Sequence, residues 1–97
     1  MARRTRVTSW YARHSGHIAK GGSERSAAVG RTVRALTAVD TLPGPSDFEA
    51  TRKPFGRAWV RRVTGRNLWL WYRFDDNEVM LVALTTDPPL PLDDQSE

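Results

Sequence analysis

Apolar runs separated by short polar turns occupy residues 57–86, and this stretch predicts the centre of the fold. Three short runs there are rich in Val, Leu, Trp, Tyr and Phe: Ala58–Thr64, Leu68–Phe74 and Val79–Thr85. The turns between them read Gly-Arg-Asn and Asp-Asp-Asn. β-Branched and aromatic runs joined by short polar turns are typical of an antiparallel meander.

The middle run is apolar on both of its faces, which indicates a central strand covered on both sides. Successive side chains of a strand point to opposite faces. Leu70 and Tyr72 therefore share one face, while Trp69, Trp71 and Arg73 share the other. The third run also divides into two apolar sets, namely Val79, Leu81 and Ala83 against Met80, Val82 and Leu84.

The first half of the chain changes to helical spacing. One apolar stripe consists of Val7, Trp10, Tyr11, His14 and Ile18. Thr8 or Ser9 can cap this helix, which is expected to end near Lys20, before two glycines. A competing interpretation makes residues 4–11 an edge strand and begins the helix later.

A second helix is predicted from Ser23, a good N-cap, to about Asp40. Its apolar side consists of Ala28, Val29, Val33, Leu36 and Val39. Residues 42–56 contain three prolines and two glycines, so an irregular connection is expected there. Phe48 and Phe55 are expected to pin that connection onto the core.

These elements predict a single α+β domain over residues 1–97, with an acidic, proline-rich tail at 87–97. Two N-terminal helices would pack on an antiparallel sheet of three strands, or of four if the edge strand forms. The chain has no cysteine, which excludes disulfides and thiolate metal sites. No apolar stretch approaches a membrane span and no signal-peptide pattern is present, so we expect a cytoplasmic protein without membrane contact.

Charge is distributed unevenly along the chain. The net charge is +4, but residues 1–74 contain all fifteen basic residues and only four acidic ones, and therefore carry +11. Residues 75–97 contain seven acidic residues and no basic ones. A basic body predicts a polyanionic partner. The alternative is that the arginines serve only to keep a small protein soluble.

The sequence predicts no cofactor and no metal site. Its glycines lack the spacing of a phosphate-binding loop. His14 and His17 lie three residues apart on the predicted helix, with no third ligand nearby. His14 is on the apolar stripe, which favours a structural role, although either histidine could act as a general acid or base.

Basic and aromatic residues interleave in and around the predicted meander. Arg61, Arg62 and Arg66 are candidates for stabilising charge on a reacting phosphate. Candidates for binding nucleic acid are Lys53, Arg57, Arg73, Trp69 and Trp71. Guanidinium groups hold phosphates and indoles stack on bases. Alternatively, the tryptophans belong to the core beneath the helices, with arginine stems lying over them.

The order of two helices, a Pro/Gly-containing loop and the segment WVRRVTGRNLWLWYRFDDNEVMLVAL resembles toxins of the RelE/ParE superfamily. Tyr72, Asp76 and residues 79–84 match the family pattern in place. The resemblance covers residues 57–85 well and the helices only by their order. It implies membership of a type II toxin–antitoxin pair, a cognate antitoxin as partner, and RNA, the ribosome or gyrase as target. A homodimer is a further possibility.

This chain departs from the superfamily at three places. Members usually open with a strand before their helices, whereas residues 7–18 of this chain have helical spacing. Those that cut mRNA on the ribosome carry basic residues before the first turn, an arginine in the middle strand, and basic or tyrosyl groups after the last strand. Arg61 and Arg62 match the first of these requirements, whereas Trp69 occupies the middle-strand position. No Arg, His or Tyr follows Leu84, so the proton acceptor of a metal-independent or ribosome-dependent endoribonuclease is missing.

Two functions are therefore expected to compete. The leading one is a toxin-like protein that acts on RNA or the translation machinery through a basic sheet surface. The alternative is a non-enzymatic binder on the same scaffold, such as a ParE-like gyrase inhibitor or a protein-interaction module. A third hypothesis is that the acidic tail folds over the basic surface and restrains it.

Overall fold

The computed structural model describes residues 3–18 and 23–89. In chain order the elements are β1 (Arg4–Val7), α1 (Ser9–Ile18), α2 (Ser23–Ala38), β2 (Phe48–Arg52), β3 (Gly56–Arg62), β4 (Trp69–Phe74) and β5 (Glu78–Thr85). The strands form one sheet in the order β1-β5-β4-β3-β2. The predicted α+β class and the three-strand meander are thus confirmed. No helix among the described residues has the length and apolar character needed to cross a membrane.

The sheet is larger than expected and is mixed rather than purely antiparallel. Strands β2 to β5 pair antiparallel in sequence order, whereas β1 pairs parallel to β5. The prediction of three or four antiparallel strands was therefore wrong in the number of strands and in the direction of β1, whereas the antiparallel pairing of the other strands is confirmed. Since β1 and β2 occupy opposite edges, the chain passes through α1, α2 and the segment that follows them between one edge of the sheet and the other.

Strand β2 lies inside the segment that was expected to be irregular. Its pairs with β3 run from Phe48 opposite Val60 to Arg52 opposite Gly56. The segment FEATR contains two apolar residues and three polar ones, so its own pattern is weak. Pairing with β3 rather than local propensity makes it a strand. Phe48 and Phe55 do pack against the core, as predicted.

Strand β1 and the start of α1 combine the two interpretations of the N-terminal segment. The chain is extended only to Val7, and the helix begins at Ser9. The Thr8 hydroxyl accepts a hydrogen bond from the Tyr11 N–H at 3.1 Å and donates one to the Val82 carbonyl at 2.7 Å. Thr8 therefore caps α1 and ties its start to β5. The expected end of this helix near Lys20 lies outside the described residues.

The two faces of the sheet bury separate clusters of side chains. On the face that carries α2, which we call the helix side, the cluster includes Val29, Leu36, Leu70, Tyr72, Val79, Leu81 and Leu84. On the opposite face, which we call the second face, it comprises Ala50, Ala58, Val60, Trp71, Val82 and Ala83. The predicted division of β4 into two faces is therefore confirmed.

A bulge in β5 changes the predicted division of that strand. Trp71 pairs with Ala83, but the next residue, Tyr72, pairs with Leu81, so Val82 is an extra residue. Val82 and Ala83 consequently both face the second side, and Leu84 returns to the helix side. The prediction that Ala83 shares a face with Leu81 was wrong, because strict alternation ends where an extra residue enters a strand.

Candidate nucleic-acid interface

Arg61 and Arg62 are neighbours on β3 and point to opposite faces of the sheet, as strand alternation requires. Arg61 lies on the helix side, where its Nε is 2.7 Å from Asp47 Oδ1 and its Nη2 is 2.9 Å from Asp47 Oδ2. The Asp47 side chain has no exposed surface, and that of Arg61 is 18% exposed. The charge of Arg61 is therefore neutralised within the fold.

Two further groups complete the environment of Asp47. The Tyr72 hydroxyl donates a hydrogen bond to Asp47 Oδ2, and the Gly44 N–H donates to the same oxygen at 2.8 Å. A Cβ at position 44 would clash with the Arg61 guanidinium, so this close approach requires glycine. We call Asp47, Arg61 and Tyr72 the buried triad.

The electrostatics of the buried triad favour a structural role. Burial alone would raise the pKa of Asp47, but the hydrogen bonds from Arg61, Tyr72 and the Gly44 N–H outweigh it and hold the pKa below its ordinary value. Burial, together with the adjacent carboxylate, raises the pKa of Tyr72. The hydrogen bond to Asp47 likewise raises the pKa of Arg61. All three groups are thus held in their present charge states, and Arg61 has no free guanidinium for a phosphate.

An aromatic ladder of His14, Trp10, Phe55 and Trp71 crosses the second face. His14 stacks on Trp10 with 4.3 Å between ring centroids, and Phe55 meets Trp10 and Trp71 edge-on at 5.3 and 4.8 Å. Trp71 is fully buried, and its Nε1 donates to the Thr85 hydroxyl at 3.0 Å. Because Trp71 is covered in this way, no base can stack on it. Trp10 and Phe55 are only partly buried.

Arg62 and Trp69 form a pair at one end of the second face. The Arg62 guanidinium lies 5.8 Å from the Trp69 ring centroid, within the range of a cation–π contact. Its Nε donates to the Arg66 carbonyl at 3.0 Å, and its Nη2 donates to Asn67 Oδ1 at 3.1 Å. These partners are neutral, so Arg62 keeps its full charge beside a partly exposed indole.

Arg73 is a second exposed cation with neutral partners. It shares the second face with Trp69 and Trp71 by strand alternation. Its Nε and Nη2 donate to the carbonyl oxygens of Arg57 and Phe55 at 2.9 and 2.7 Å. The guanidinium therefore fixes the β2–β3 turn without losing its charge.

The remaining predicted residues are distributed around the molecule. Arg57 makes two hydrogen bonds to Glu49, at 2.8 and 3.0 Å, and Arg66 pairs with Glu24 at 3.3 Å. Lys53 is exposed in the β2–β3 turn, and among the described residues it has no ion-pair partner. The structure thus places Arg61 on the opposite face from Arg62, whose guanidinium contacts the backbone of Arg66. It groups Arg62, Trp69 and Arg73 on the second face.

No pattern in the sequence indicated that Trp10 and Phe55 lie at the second face or that Asp47 pairs with Arg61. Trp10 was part of a helical stripe, and Phe55 was assigned to an irregular connection. Asp47, which removes Arg61 from the site, lies fourteen positions away from it in the chain. The pairing of β2 with β3 brings Phe55 and Asp47 to their places. Trp10 reaches the second face because the start of α1 is tied to β5 through Thr8. Among the described residues, no group of three His, Asp or Glu side chains is placed to hold a metal ion.

The chain matches no family model, no curated protein and no solved structure. The second face, with its two uncompensated guanidinium groups and partly exposed aromatic rings, is therefore the main basis for a functional proposal.

Proposed function

We propose that the protein is the toxin-like component of a type II toxin–antitoxin pair and that it acts on RNA or the translation machinery through the second face. The observation that carries the proposal is the set formed by Arg62, Arg73 and Trp69. Both guanidinium groups bond only neutral oxygens, so their charge is available to phosphates. Trp69 is the partly exposed ring on which a base can stack.

The order of elements supports the RelE/ParE resemblance at a point where the sequence had argued against it. Toxins of that superfamily usually open with a strand before their helices. Here β1 precedes α1 and α2, and the meander follows them. The covering partner in such a pair is an antitoxin, and the second face is the surface we assign to it.

Binding is the part of the activity that the geometry supports best. Attack by a ribose 2′-hydroxyl needs cations at the phosphate and a proton acceptor. Arg62 can hold the phosphate, whereas Arg61 supports the fold through Asp47 and Arg66 pairs with Glu24. Catalysis by three cooperating arginines therefore does not belong to the proposal.

A second candidate function is that of a non-enzymatic binder, such as a ParE-like inhibitor of gyrase. The burial of Arg61 against Asp47 favours it, since one expected catalytic group is occupied. The absence of Arg, His and Tyr after Leu84 favours it as well. Supercoiling assays with purified gyrase separate this candidate from an action on RNA, which primer extension on cellular mRNA would detect.

Induced expression in bacterial cells tests the proposal. Wild-type protein should arrest growth, and Arg62→Ala/Arg73→Ala should relieve the arrest. The matched control is Arg31→Ala/Arg34→Ala, which removes the same charge from exposed positions of α2. The control should remain toxic at equal protein levels. Normal growth with the wild-type protein, or equal relief by both double variants, would contradict the proposal.

A further inference from the structure

An open pocket of about 240 Å³ lies where α1, the β2–β3 turn and the segment after β5 meet. Trp10 and Phe55 supply aromatic walls, Arg52 and Lys53 supply cations, and Thr86 and Asp87 complete the lining. Phe55 contacts Trp71 with 4.8 Å between centroids, so the turn folds back over the second face. The pocket is thus continuous with the surface assigned to RNA above.

The chemistry of the walls specifies a ligand with a flat ring and a negative charge. A simple anion would make no stacking contact with the Trp10 and Phe55 rings, and an aliphatic ligand would form no ion pair with Arg52 and Lys53. A nucleotide uses both, because its base stacks on aromatic rings and its phosphate bonds guanidinium and ammonium groups. The volume lies somewhat below the roughly 300 Å³ that begins the range for drug-sized ligands, which suits the base of one nucleotide with its phosphate at the cationic wall.

One acidic group competes with such a ligand. Asp87 Oδ2 lies 3.2 Å from Arg52 Nη2, and the two side chains are 73% and 42% exposed. An exposed ion pair of this kind contributes little to stability and is easily exchanged. A phosphate offers more acceptor oxygens to the same guanidinium. Binding of a phosphate at Arg52 therefore requires displacement of Asp87.

We infer that this pocket binds one unpaired nucleotide of a single-stranded nucleic acid, with its base against Trp10 and Phe55 and its phosphate at Arg52 and Lys53, and that Asp87 restrains binding by occupying Arg52. The inference rests on the proposed function, since it names the kind of RNA segment that the second face takes. A paired base cannot enter, because its flat faces are already covered by the neighbouring bases of the duplex.

The test measures the affinity of a fluorescently labelled ten-nucleotide oligouridine for the full chain by anisotropy at low salt. Asp87→Asn should tighten binding several-fold, and Arg52→Ala should weaken it. The double variant should bind like Arg52→Ala, because Asp87 acts through Arg52. The matched control is Glu49→Gln, which also removes one acidic charge and releases one arginine, Arg57, but on the helix side. Its affinity should stay close to that of the wild type.

A second probe tests the role of the base. An abasic strand of equal length and charge should bind the wild-type protein several-fold more weakly than a strand with bases, and Asp87→Asn should not restore the difference. Equal affinities for the two strands, or equal gains from Asp87→Asn and Glu49→Gln, would overturn the pocket assignment. Neither outcome would affect growth arrest that depends on Arg62 and Arg73.

Failure of the proposed function gives a different result. Growth without arrest, combined with tight, base-dependent binding that responds to Asp87→Asn, would refute the toxin proposal and retain the nucleotide pocket. Absence of measurable oligonucleotide binding in both wild type and Asp87→Asn would overturn the pocket itself.

Discussion

The helix side and the second face of the sheet give their arginines different partners, an acidic one on the helix side and neutral ones on the second face. Arg61 points to the helix side, where a buried carboxylate neutralises it and a tyrosine hydroxyl completes the network. Arg62 points to the second face, where only carbonyl oxygens meet it and an indole lies beneath it. Two neighbouring arginines therefore differ in role because strand alternation places them in different dielectric surroundings.

The difference shows how a small domain can combine a stable core with a charged surface. Charges on the covered face are paired, since an unpaired buried charge would be too costly for a chain of this size. On the second face, Arg62 and Arg73 bond only neutral oxygens, which costs little because both side chains are exposed to water. An acidic partner or a nucleic acid can then supply the missing negative charge.

The largest predicted effect separates Arg61 from Arg62. Arg61→Ala leaves Asp47 buried without its cation, and we expect a loss of roughly 3 kcal/mol in the free energy of unfolding. Arg62→Ala should change stability little, because its side chain is exposed. Urea unfolding followed by tryptophan fluorescence measures both variants. Similar losses in the two variants would show that the faces do not differ as described.

A smaller loss of stability is expected from breaking the hydrogen bond between Thr8 and the bulge residue Val82. Thr8→Ala removes the α1 cap and leaves the Val82 carbonyl without its donor. We expect a loss of about 1–2 kcal/mol, measured by thermal unfolding. Ser9→Ala is the control, because Thr8 rather than Ser9 supplies the capping hydroxyl. A Thr8→Ala protein as stable as Ser9→Ala would refute the capping role.

Acid should weaken the helix side through Asp47. The folded-state pKa of Asp47 lies below its ordinary value of 3.8. The stabilisation from its ionised form is therefore fully present above that value and is lost as the pH falls through the folded-state pKa. Asp47→Asn should be less stable than the wild type at pH 7, and the difference should shrink in acid.

Two other carboxylates also have lowered pKa values. A hydrogen bond from Arg57 lowers the pKa of Glu49, and hydrogen bonds from the N–H groups of Asn77 and Glu78 lower the pKa of Asp75. Both are present in the wild type and in Asp47→Asn, so the difference between the two unfolding curves isolates Asp47. A constant difference from pH 7 down to pH 2 would contradict the assignment.

The smallest predicted effect concerns the second face and the salt dependence of binding. For a single strand, each phosphate neutralised by the protein contributes about 0.7 to the slope of log K against log salt. Arg62→Ala/Arg73→Ala should therefore lower the slope by about 1.4. Anisotropy titrations with oligouridine at several salt concentrations measure it. An unchanged slope would mean that neither guanidinium meets a phosphate.

Local patterns predicted much of the fold and part of the site. The meander was visible because its runs are apolar and its turns polar, and Tyr72 and Trp71 were correctly placed on opposite faces. Strand β2 was missed because its pattern is weak and only its partner strand makes it extended. The faces of Ala83 and Leu84 were missed because no sequence pattern marked the bulge at Val82.

The chain by itself determined the α+β class, the meander and the excess of basic residues in its first 74 positions. These features depend on local periodicity and composition, which act over a few residues. Only the tertiary structure decided which arginines have an acidic partner. That depends on partners such as Asp47 and Glu24, which lie 14 and 42 positions from Arg61 and Arg66 in the chain. Such long-range pairs form only when the strands and helices pack, so no local pattern records them.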